Sequence, residues 1–316
     1  MKNYRQYDKV SLGIFPTPVQ RLDNISALLG TNVYVKRDDM TGLALGGNKV
    51  RKLEYLLADA KAKGAQVVFT TGGAQSNHAM LTAAAAKKLG MKPILILKKR
   101  GVTQRRGNQL LNYLMGVDVR FMDTDDYADI YAEMDCVGKE LGLPYYRIPC
   151  GGSNALGSLG YVDCIKELVA QGMTFDHIIC AEGSGGTMAG VALGAKLFMP
   201  SARVTGMMVD TDPFEQITVN LMREAAALMG ESIEISAEDF ELRDMCGPGY
   251  AIPSREGNAA VSMMAAQEGL FLDPMYTGKA FAGLVAMAKE GAFAKEDRVL
   301  FLHSGGAGGL FAVGQE

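Results

Sequence analysis

Residues 177–197 read HIICAEGSGGTMAGVALGAKL, and this stretch decides the fold. The apolar run at 177–181 predicts a buried strand, and the glycine-rich segment 183–187 predicts a tight turn. The small apolar residues that follow predict a helix from about 188 to 197. A strand, a tight turn and a helix in this order are typical of parallel sheets that are covered by helices.

The same alternation of strands and helices occurs on both sides of this stretch. Apolar runs predict further strands at 67–70, 93–97, 117–121, 203–209 and 298–302. Helical patterns lie at 79–89, 108–114, 129–141, 258–268 and 278–290. We therefore expect an α/β fold of two lobes, each a mostly parallel sheet flanked by helices. Residues 1–49 and 156–316 would form the large domain, and residues 50–155 a small α/β domain.

Composition excludes several classes of function. The 316 residues have a formal net charge of -3 and no block of basic residues, so we expect no nucleic-acid partner. No apolar stretch reaches the roughly 18 residues of a membrane span, and residues 1–8 lack the apolar run of a signal peptide. Five cysteines without a C-x-x-C pair and three scattered histidines predict neither disulfides nor a metal site. A reducing cytoplasm fits this pattern.

The glycine-rich turn 183–187 has the features of an anion site. Glycines allow backbone N–H groups to converge at a helix N-terminus, and Ser184 and Thr187 add hydroxyl donors. No lysine stands where a Walker loop needs one, and the dinucleotide spacing fails at its last glycine. A tight turn that binds nothing and a nucleotide-binding enzyme are the alternatives.

Two glycines at 46–47 lead into a helix that carries Lys49 and Lys52. A lysine held in a partly desolvated site has a lowered pKa and can form an imine with an aldehyde. Lys52 lies one helical turn further along the same face, where it could reach a phosphate. Two solvated helix lysines are the alternative.

Three further segments offer polar groups near predicted helix starts. Ser76, Asn77 and the N–H groups beside them suit a carboxylate or a cofactor oxygen, although they also suit an N-cap. Ser304, after the last strand, could face a ring nitrogen or belong to a simple chain reversal. Tyr276 could be an acid–base group or a packed side chain at the start of a helix.

Six segments in this order resemble one family. They are GGNKVRKLE (46–54), QSNH (75–78), GGTMAG (185–190), PGYAIP (248–253), LDPMYTGK (272–279) and HSGG (303–306). Together they are similar to the 1-aminocyclopropane-1-carboxylate deaminase and D-cysteine desulfhydrase family, whose members have the tryptophan-synthase-β fold, fold type II. The resemblance runs from about Phe15 to Phe311.

The resemblance implies pyridoxal 5′-phosphate (PLP) as cofactor, a small amino acid as substrate and a homodimer. Lys49 matches the Schiff-base lysine, which would act in catalysis together with Tyr276 and Ser76. The other cofactor-binding residues implied are Lys52, Asn77, Ser184, Gly185, Gly186, Thr187 and Ser304. The substrate-binding residues implied are Ser76, Asn77, His78, Tyr250 and Tyr276.

Two positions separate the members of this family. Ring-opening deaminases carry Glu after the second tyrosine and Leu after the His of the last motif, whereas this chain has Thr277 and Ser304. A hydroxyl residue at both positions resembles the pattern of the desulfhydrases. We therefore expect β-elimination, in which D-cysteine gives pyruvate, sulfide and ammonia. An L-cysteate sulfo-lyase and another PLP lyase, racemase or deaminase of the same fold remain alternatives. A non-catalytic protein that binds PLP or an amino acid is an alternative of a different class.

Overall fold

The computed structural model describes residues 7–313. Residues 1–6, which hold most of the polar stretch that argues against a signal peptide, lie outside this range, as do residues 314–316. The strands are β1 (Val19–Arg21), β2 (Asn32–Lys36), β3 (Val67–Thr70), β4 (Lys92–Lys98), β5 (Asp118–Met122), β6 (Tyr145–Arg147), β7 (His177–Glu182), β8 (Arg203–Met208), β9 (Glu241–Asp244) and β10 (Arg298–Leu302). The helices are α1 (Asp23–Leu29), α2 (Lys49–Ala62), α3 (Asn77–Lys88), α4 (Gly107–Leu114), α5 (Tyr127–Leu141), α6 (Ala155–Ala170), α7 (Gly186–Phe198), α8 (Phe214–Met229), α9 (Arg255–Glu268), α10 (Thr277–Lys289) and α11 (Ala307–Leu310).

The strands of the described residues form two sheets. The larger has the order β1-β2-β10-β7-β8-β9, in which β1 alone runs antiparallel. The smaller has the order β5-β4-β3-β6 and is parallel throughout. Helices flank both sheets, so the expected α/β fold of two lobes is confirmed. The strands of the smaller sheet lie within 67–147, but the domain boundaries at 49/50 and 155/156 remain a prediction.

Helix α6 packs between α2 and α7 and holds the two segments that start those helices. Gly160 on α6 allows this contact, because a Cβ there would lie 2.5 Å from the carbonyl oxygen of Arg51 on α2. Gly190 on α7 has the same role, since its Cβ would lie 2.2 Å from the carbonyl oxygen of Ser158 on α6. Close packing of three helices therefore places Lys49 beside the glycine-rich turn.

A buried cluster of charges anchors the first turn of α2. Arg51 donates to both carboxylate oxygens of Asp38, at 2.7 and 2.9 Å, and also to Glu167. Tyr161 donates to Asp38 at 2.6 Å. Burial opposes ionisation of Asp38, but Arg51 outweighs it and holds the pKa of this carboxyl below its usual 3.8.

Most boundaries differ from the sequence prediction by a few residues. The short basic stretch that begins at Lys98 is typical of a solvated loop, but Lys98 is the last residue of β4 and is only 6% exposed. Its ammonium donates to the carbonyl oxygen of Asp125 at 2.6 Å and lies 3.5 Å from the centre of the Tyr127 ring. A carbonyl oxygen and an aromatic ring thus take the place of water around the Lys98 ammonium. The local sequence does not reveal these contacts, because they depend on how the chain folds.

In residues 7–313 no helix is long and apolar enough to cross a membrane. Over the same range no cluster of His, Cys, Asp and Glu has the arrangement of a metal site.

Candidate active site

The glycine-rich segments of the sequence meet in one cavity between the two sheets. Segments after β3, β7 and β10 line it, together with the start of α2. The space inside it, including the solvent at its open mouth, is about 650 Å³. Ligands of parallel sheets bind at the carboxyl ends of strands, and this cavity occupies that position.

Lys49 is the first residue of α2 and lines the cavity. The backbone N–H of Asn48 donates to the carbonyl oxygen of Ser304 at 3.0 Å, which ties the start of α2 to the loop after β10. Burial lowers the pKa of Lys49 below that of a free lysine, although Cys150 and Glu182 oppose the shift. A neutral amine is therefore more accessible at Lys49 than at a solvated lysine.

Lys52 lies behind the glycine-rich turn rather than on the cavity wall. Its ammonium donates to the carbonyl oxygen of Gly151 at 3.1 Å and to Ser153 Oγ at 3.3 Å. A Cβ added to Gly186 would lie 2.8 Å from Lys52 Nζ. Burial and the charge of Lys49 lower the pKa of Lys52 well below its ordinary value. Lys52 thus supports the turn from behind, and a direct phosphate contact remains a proposal.

The glycine-rich turn passes directly into α7. Gly185 has a φ of 84°, a conformation that favours glycine, and precedes the first helical residue, Gly186. Thr187 Oγ1 accepts a hydrogen bond from Asn48 Nδ2 at 2.9 Å. Ser153 Oγ lies 2.9 Å from Ser184 Oγ and accepts from the Gly186 N–H at 3.2 Å.

Sequence reasoning missed three polar residues of this site: Asn48, Ser153 and Glu182. Asn48 lies beside Lys49 in the segment 46–54 that the sequence singles out, whereas Ser153 lies between β6 and α6, outside the segments listed above. Glu182 is a charged residue at the end of a buried strand, directly before the turn. That unusual placement was a readable signal, because buried carboxylates are rare unless paired.

The start of α3 contributes Ser76, Asn77 and His78 to the cavity. Ser76 Oγ accepts from the Ala79 N–H at 3.1 Å, so the N-cap interpretation holds together with the position in the cavity. The first N–H groups of a helix have no partner within it, and here they belong to residues beside the cavity. This arrangement suits a carboxylate.

Asn77 and His78 are held by neighbours. Asn77 Oδ1 accepts from Asn108 Nδ2 at 2.7 Å. His78 Nε2 lies 2.8 Å from Thr70 Oγ1, and its buried Nδ1 has no hydrogen-bond partner among the described residues. Burial, with the charges of the nearby lysines, lowers the pKa of His78 well below 6.5. The imidazole is therefore neutral at neutral pH.

Tyr250 and Tyr276 form a hydroxyl pair on the cavity wall. Their oxygens lie 2.6 Å apart, and their rings meet edge to face with centres 6.2 Å apart. Burial raises the pKa of Tyr250 to about 12. Burial and the neighbouring Tyr250 raise the pKa of Tyr276 well above 10. Both phenols therefore keep their protons at neutral pH, so that Tyr276 can donate a proton but is a poor base.

The two positions that separate the deaminases from the desulfhydrases lie in different surroundings. Ser304 lines the cavity, whereas Thr277 Oγ1 is fully buried and donates to Asp273 Oδ1 at 2.7 Å. Asp273 also accepts the N–H groups of Met275 and Tyr276, each at 2.9 Å, so this carboxylate is committed to the start of α10. Of the two hydroxyls on which the expectation of β-elimination depends, the one that lines the cavity is therefore that of Ser304.

The donors present fit a phosphorylated aldehyde of the PLP type. Lys49 would provide the amine, the helix start at Gly186 and the hydroxyl of Thr187 would bind an anion, and Ser304 would provide a hydroxyl for a ring nitrogen. Glu182 Oε2 and His78 Nδ1 are buried polar atoms of the cavity lining without partners among the described residues. Such unsatisfied atoms are expected where a polar ligand belongs.

Comparisons with known proteins agree with this site. A family model described as pyridoxal-phosphate dependent enzyme matches residues 10–305. A Pyrococcus horikoshii protein provisionally named 1-aminocyclopropane-1-carboxylate deaminase is 42% identical, over 98% of this chain and 95% of its own length. The D-cysteine desulfhydrase of Yersinia enterocolitica is 40% identical, over 97% of this chain and 96% of its own length. A crystal structure of a homologue of the deaminase superposes with a TM-score of 0.90 at 42% identity, covering 97% of this chain and 94% of that chain.

Proposed function

Because the chain belongs to the pyridoxal-phosphate-dependent enzyme family and is a lyase of the group that contains these deaminases and desulfhydrases, we propose that D-cysteine is its substrate. Its cofactor is PLP. In the proposed reaction, D-cysteine and water give pyruvate, sulfide and ammonia. The Cα–H and Cβ–S bonds break, and water takes the place of the amino group at Cα.

PLP, when bound, supplies an electron sink conjugated with Cα of the substrate. We assign Lys49 to hold the aldehyde carbon and then, as a free amine, to accept the proton from Cα. Its lowered pKa supports this role, because a neutral amine is required at the moment of proton transfer.

The start of α3 would bind the substrate carboxylate. Ser76 and Asn77 stand at its N-terminus, where the helix dipole and the first N–H groups favour an anion. The neutral His78 beside them is buried and adds no charge to this end of the cavity. The substrate would thus be held by its carboxylate, which fixes Cα relative to Lys49.

Tyr276 would protonate the departing sulfur. Its phenol keeps its proton at neutral pH, and Tyr250 lies 2.6 Å away to hold the O–H in position. In a poorly hydrated cavity, sulfur leaves more readily as neutral hydrogen sulfide than as an anion. A proton donor at the sulfur therefore lowers the barrier to breaking the Cβ–S bond.

One observation carries the choice of elimination over ring opening: Ser304 lines the cavity, at the position where the resemblance implies Leu in a ring-opening deaminase. A hydroxyl leaves the ring nitrogen of the cofactor largely neutral, whereas a carboxylate would keep it protonated. Among the described residues that line the cavity, Glu182 is the one carboxylate, and it accepts the N–H groups of the glycine-rich turn. A weak electron sink suffices when a good leaving group stands on Cβ.

The test is a substrate panel on purified, PLP-loaded protein, with pyruvate and sulfide measured in parallel. D-Cysteine should release both products in equal amounts, and Lys49→Ala should release neither. Three further substrates are tested in parallel: L-cysteine, L-cysteate and 1-aminocyclopropane-1-carboxylate. The reaction with 1-aminocyclopropane-1-carboxylate is assayed for 2-oxobutanoate. Release of 2-oxobutanoate in place of pyruvate would refute the proposal in favour of ring opening, and pyruvate from L-cysteate alone would reassign the leaving group to sulfite.

We also propose that the chain acts in the cytoplasm as a homodimer. Helices α4 and α11 contact each other, and exposed apolar side chains lie on α4 and directly after α11, among them Leu114 at 70% and Phe311 at 75%. An exposed apolar patch of this kind is expected to be covered, and a second copy would cover it. Light scattering after size-exclusion chromatography should show a dimer, and Leu114→Glu should shift it towards the monomer. An unchanged dimer in this variant would place the interface elsewhere.

A further inference from the structure

Glu182 places a carboxylate inside the glycine-rich turn. It is the last residue of β7 and only 1% exposed. Its Oε1 accepts the backbone N–H groups of Ser184 at 2.8 Å and Gly185 at 2.5 Å. Its Oε2 is buried and has no partner among the described residues, although Glu182 lines the cavity.

These contacts occupy the donors that an anion needs. The N–H groups of Ser184 and Gly185 point at Glu182, and the N–H of Gly186 points at Ser153 Oγ. Three successive donors at the start of α7 are thus satisfied by the chain itself. A phosphate dianion can use the first two only if the carboxylate gives them up, and an ionised carboxylate beside it would repel it.

We propose that Glu182 sets the affinity for the phosphate group of the cofactor. The carboxylate and the phosphate compete for the N–H groups of Ser184 and Gly185, and the phosphate binds when Glu182 carries a proton. A neutral Glu182 can donate from Oε2 instead of repelling. The inference rests on the proposed position of the phosphate at this turn.

The charges around Glu182 support such a proton. Burial raises its pKa, while the two N–H groups of the turn, Lys52 and Lys49 act in the opposite direction. The thiols on the same side are uncharged at neutral pH, because burial raises the pKa of Cys180 and of Cys150. Lys52 and Lys49 are thus the cations that face this carboxylate.

The sign of the pH dependence follows from this arrangement. Below its pKa, Glu182 is neutral and does not hinder the phosphate. Above it, the free protein must take up one proton for each phosphate bound, so that the affinity falls by up to about tenfold per pH unit. The phosphate itself remains a dianion above about pH 6. Its own titration therefore does not contribute to the pH dependence of the affinity at higher pH.

The experiment measures binding rather than turnover. The full-length chain, stripped of cofactor, is titrated between pH 7 and pH 9 with pyridoxine 5′-phosphate, which lacks the aldehyde and cannot react with Lys49. Pyridoxine, which lacks the phosphate, is the control ligand. Glu182→Gln keeps the size of the side chain and removes its charge, and Glu224→Gln on the exposed face of α8 is the matched control.

In the wild-type protein and in Glu224→Gln, the affinity for pyridoxine 5′-phosphate should fall as pH rises. In Glu182→Gln the pH dependence should flatten, and binding near pH 9 should be at least about tenfold tighter than in the wild type. Any slope that persists in Glu182→Gln belongs to Lys52 or Lys49. Equal slopes in wild type and Glu182→Gln would overturn the inference.

A second measurement serves if Glu182→Gln does not fold. Calorimetry of the wild type at pH 8.5, in two buffers with different heats of ionisation, should show proton uptake on binding pyridoxine 5′-phosphate and none on binding pyridoxine. Binding of the phosphate ester without proton uptake would overturn the role of Glu182. Equal affinity for both ligands would instead refute the phosphate position itself, so that the two failures are distinguishable.

Discussion

Replacing Tyr276 with phenylalanine removes the proton donor that we assign to the departing sulfur. The phenol is partly buried on the cavity wall, its pKa is raised well above 10, and its hydroxyl lies 2.6 Å from that of Tyr250. A positioned general acid contributes about 10²–10⁴ in rate. We therefore expect kcat/KM for D-cysteine to fall by at least about 100-fold in Tyr276→Phe.

The neighbouring Tyr250→Phe provides the matched comparison. It removes one hydrogen bond to Tyr276 and leaves the donor in place. Such a bond contributes about 1 kcal/mol, which corresponds to about a fivefold loss in rate. The two phenylalanine variants should therefore differ by at least about 20-fold with D-cysteine, although each loses a single oxygen atom from the same pair.

The assay compares D-cysteine with β-chloro-D-alanine, whose chloride leaves without a proton. Pyruvate release from both substrates is measured in both variants. Tyr276→Phe should lose most of its activity with D-cysteine and little with β-chloro-D-alanine. If the loss were equal for the two substrates, Tyr276 would act in binding or in another proton transfer, and the assignment as the acid would be refuted.

Two further predictions concern cofactor retention and stability. Gly186→Ala places a Cβ 2.8 Å from Ser153 Oγ, so that the turn must move. The ratio of bound PLP to protein after dialysis should therefore fall. Full occupancy in this variant would argue against this turn as the phosphate site. Arg51→Leu removes the cation that is paired with the buried Asp38 and should lower the free energy of unfolding, measured in urea at pH 7, by about 3–5 kcal/mol. The exposed Lys63→Ala should lower it by less than about 1 kcal/mol. The folded-state pKa of Asp38 is lowered, so the stabilisation is present above its ordinary pKa and is lost as pH falls through the folded value. The difference between Arg51→Leu and wild type should therefore shrink as pH falls below the ordinary pKa of an aspartate, and a constant difference would contradict the pairing.

The strand and helix pattern could be predicted where a buried strand passes directly into a turn. The strand at 298–302 was placed at its observed bounds, and the helix after the glycine-rich turn begins two residues earlier than predicted. Strand β9 (Glu241–Asp244) was missed, because its alternation is short and polar. An edge strand of this kind is defined by its pairing with β8, which no local pattern contains.

The site was predictable as a set of segments but not as a network. Sequence order alone indicated that Lys49 and residues 183–187 matter, because each stands at a glycine-rich helix start. It did not reveal that Ser153 joins Lys52 to the turn, since that contact depends on how α6 packs between α2 and α7. Nor did it show that Thr277 faces Asp273, because the direction of a side chain at a helix start depends on its capping contacts.

The central claim is that Lys49 in this cavity carries the cofactor, and locating the covalent attachment tests it most directly. Holoprotein is reduced with borohydride, digested and sequenced by mass spectrometry, with unreduced protein as control. We predict that the pyridoxyl group is found on Lys49 and that Lys52, one helical turn away, is unmodified. Attachment to Lys52 or to a lysine outside the cavity, or a full complement of bound PLP with no attachment at all, would contradict the account.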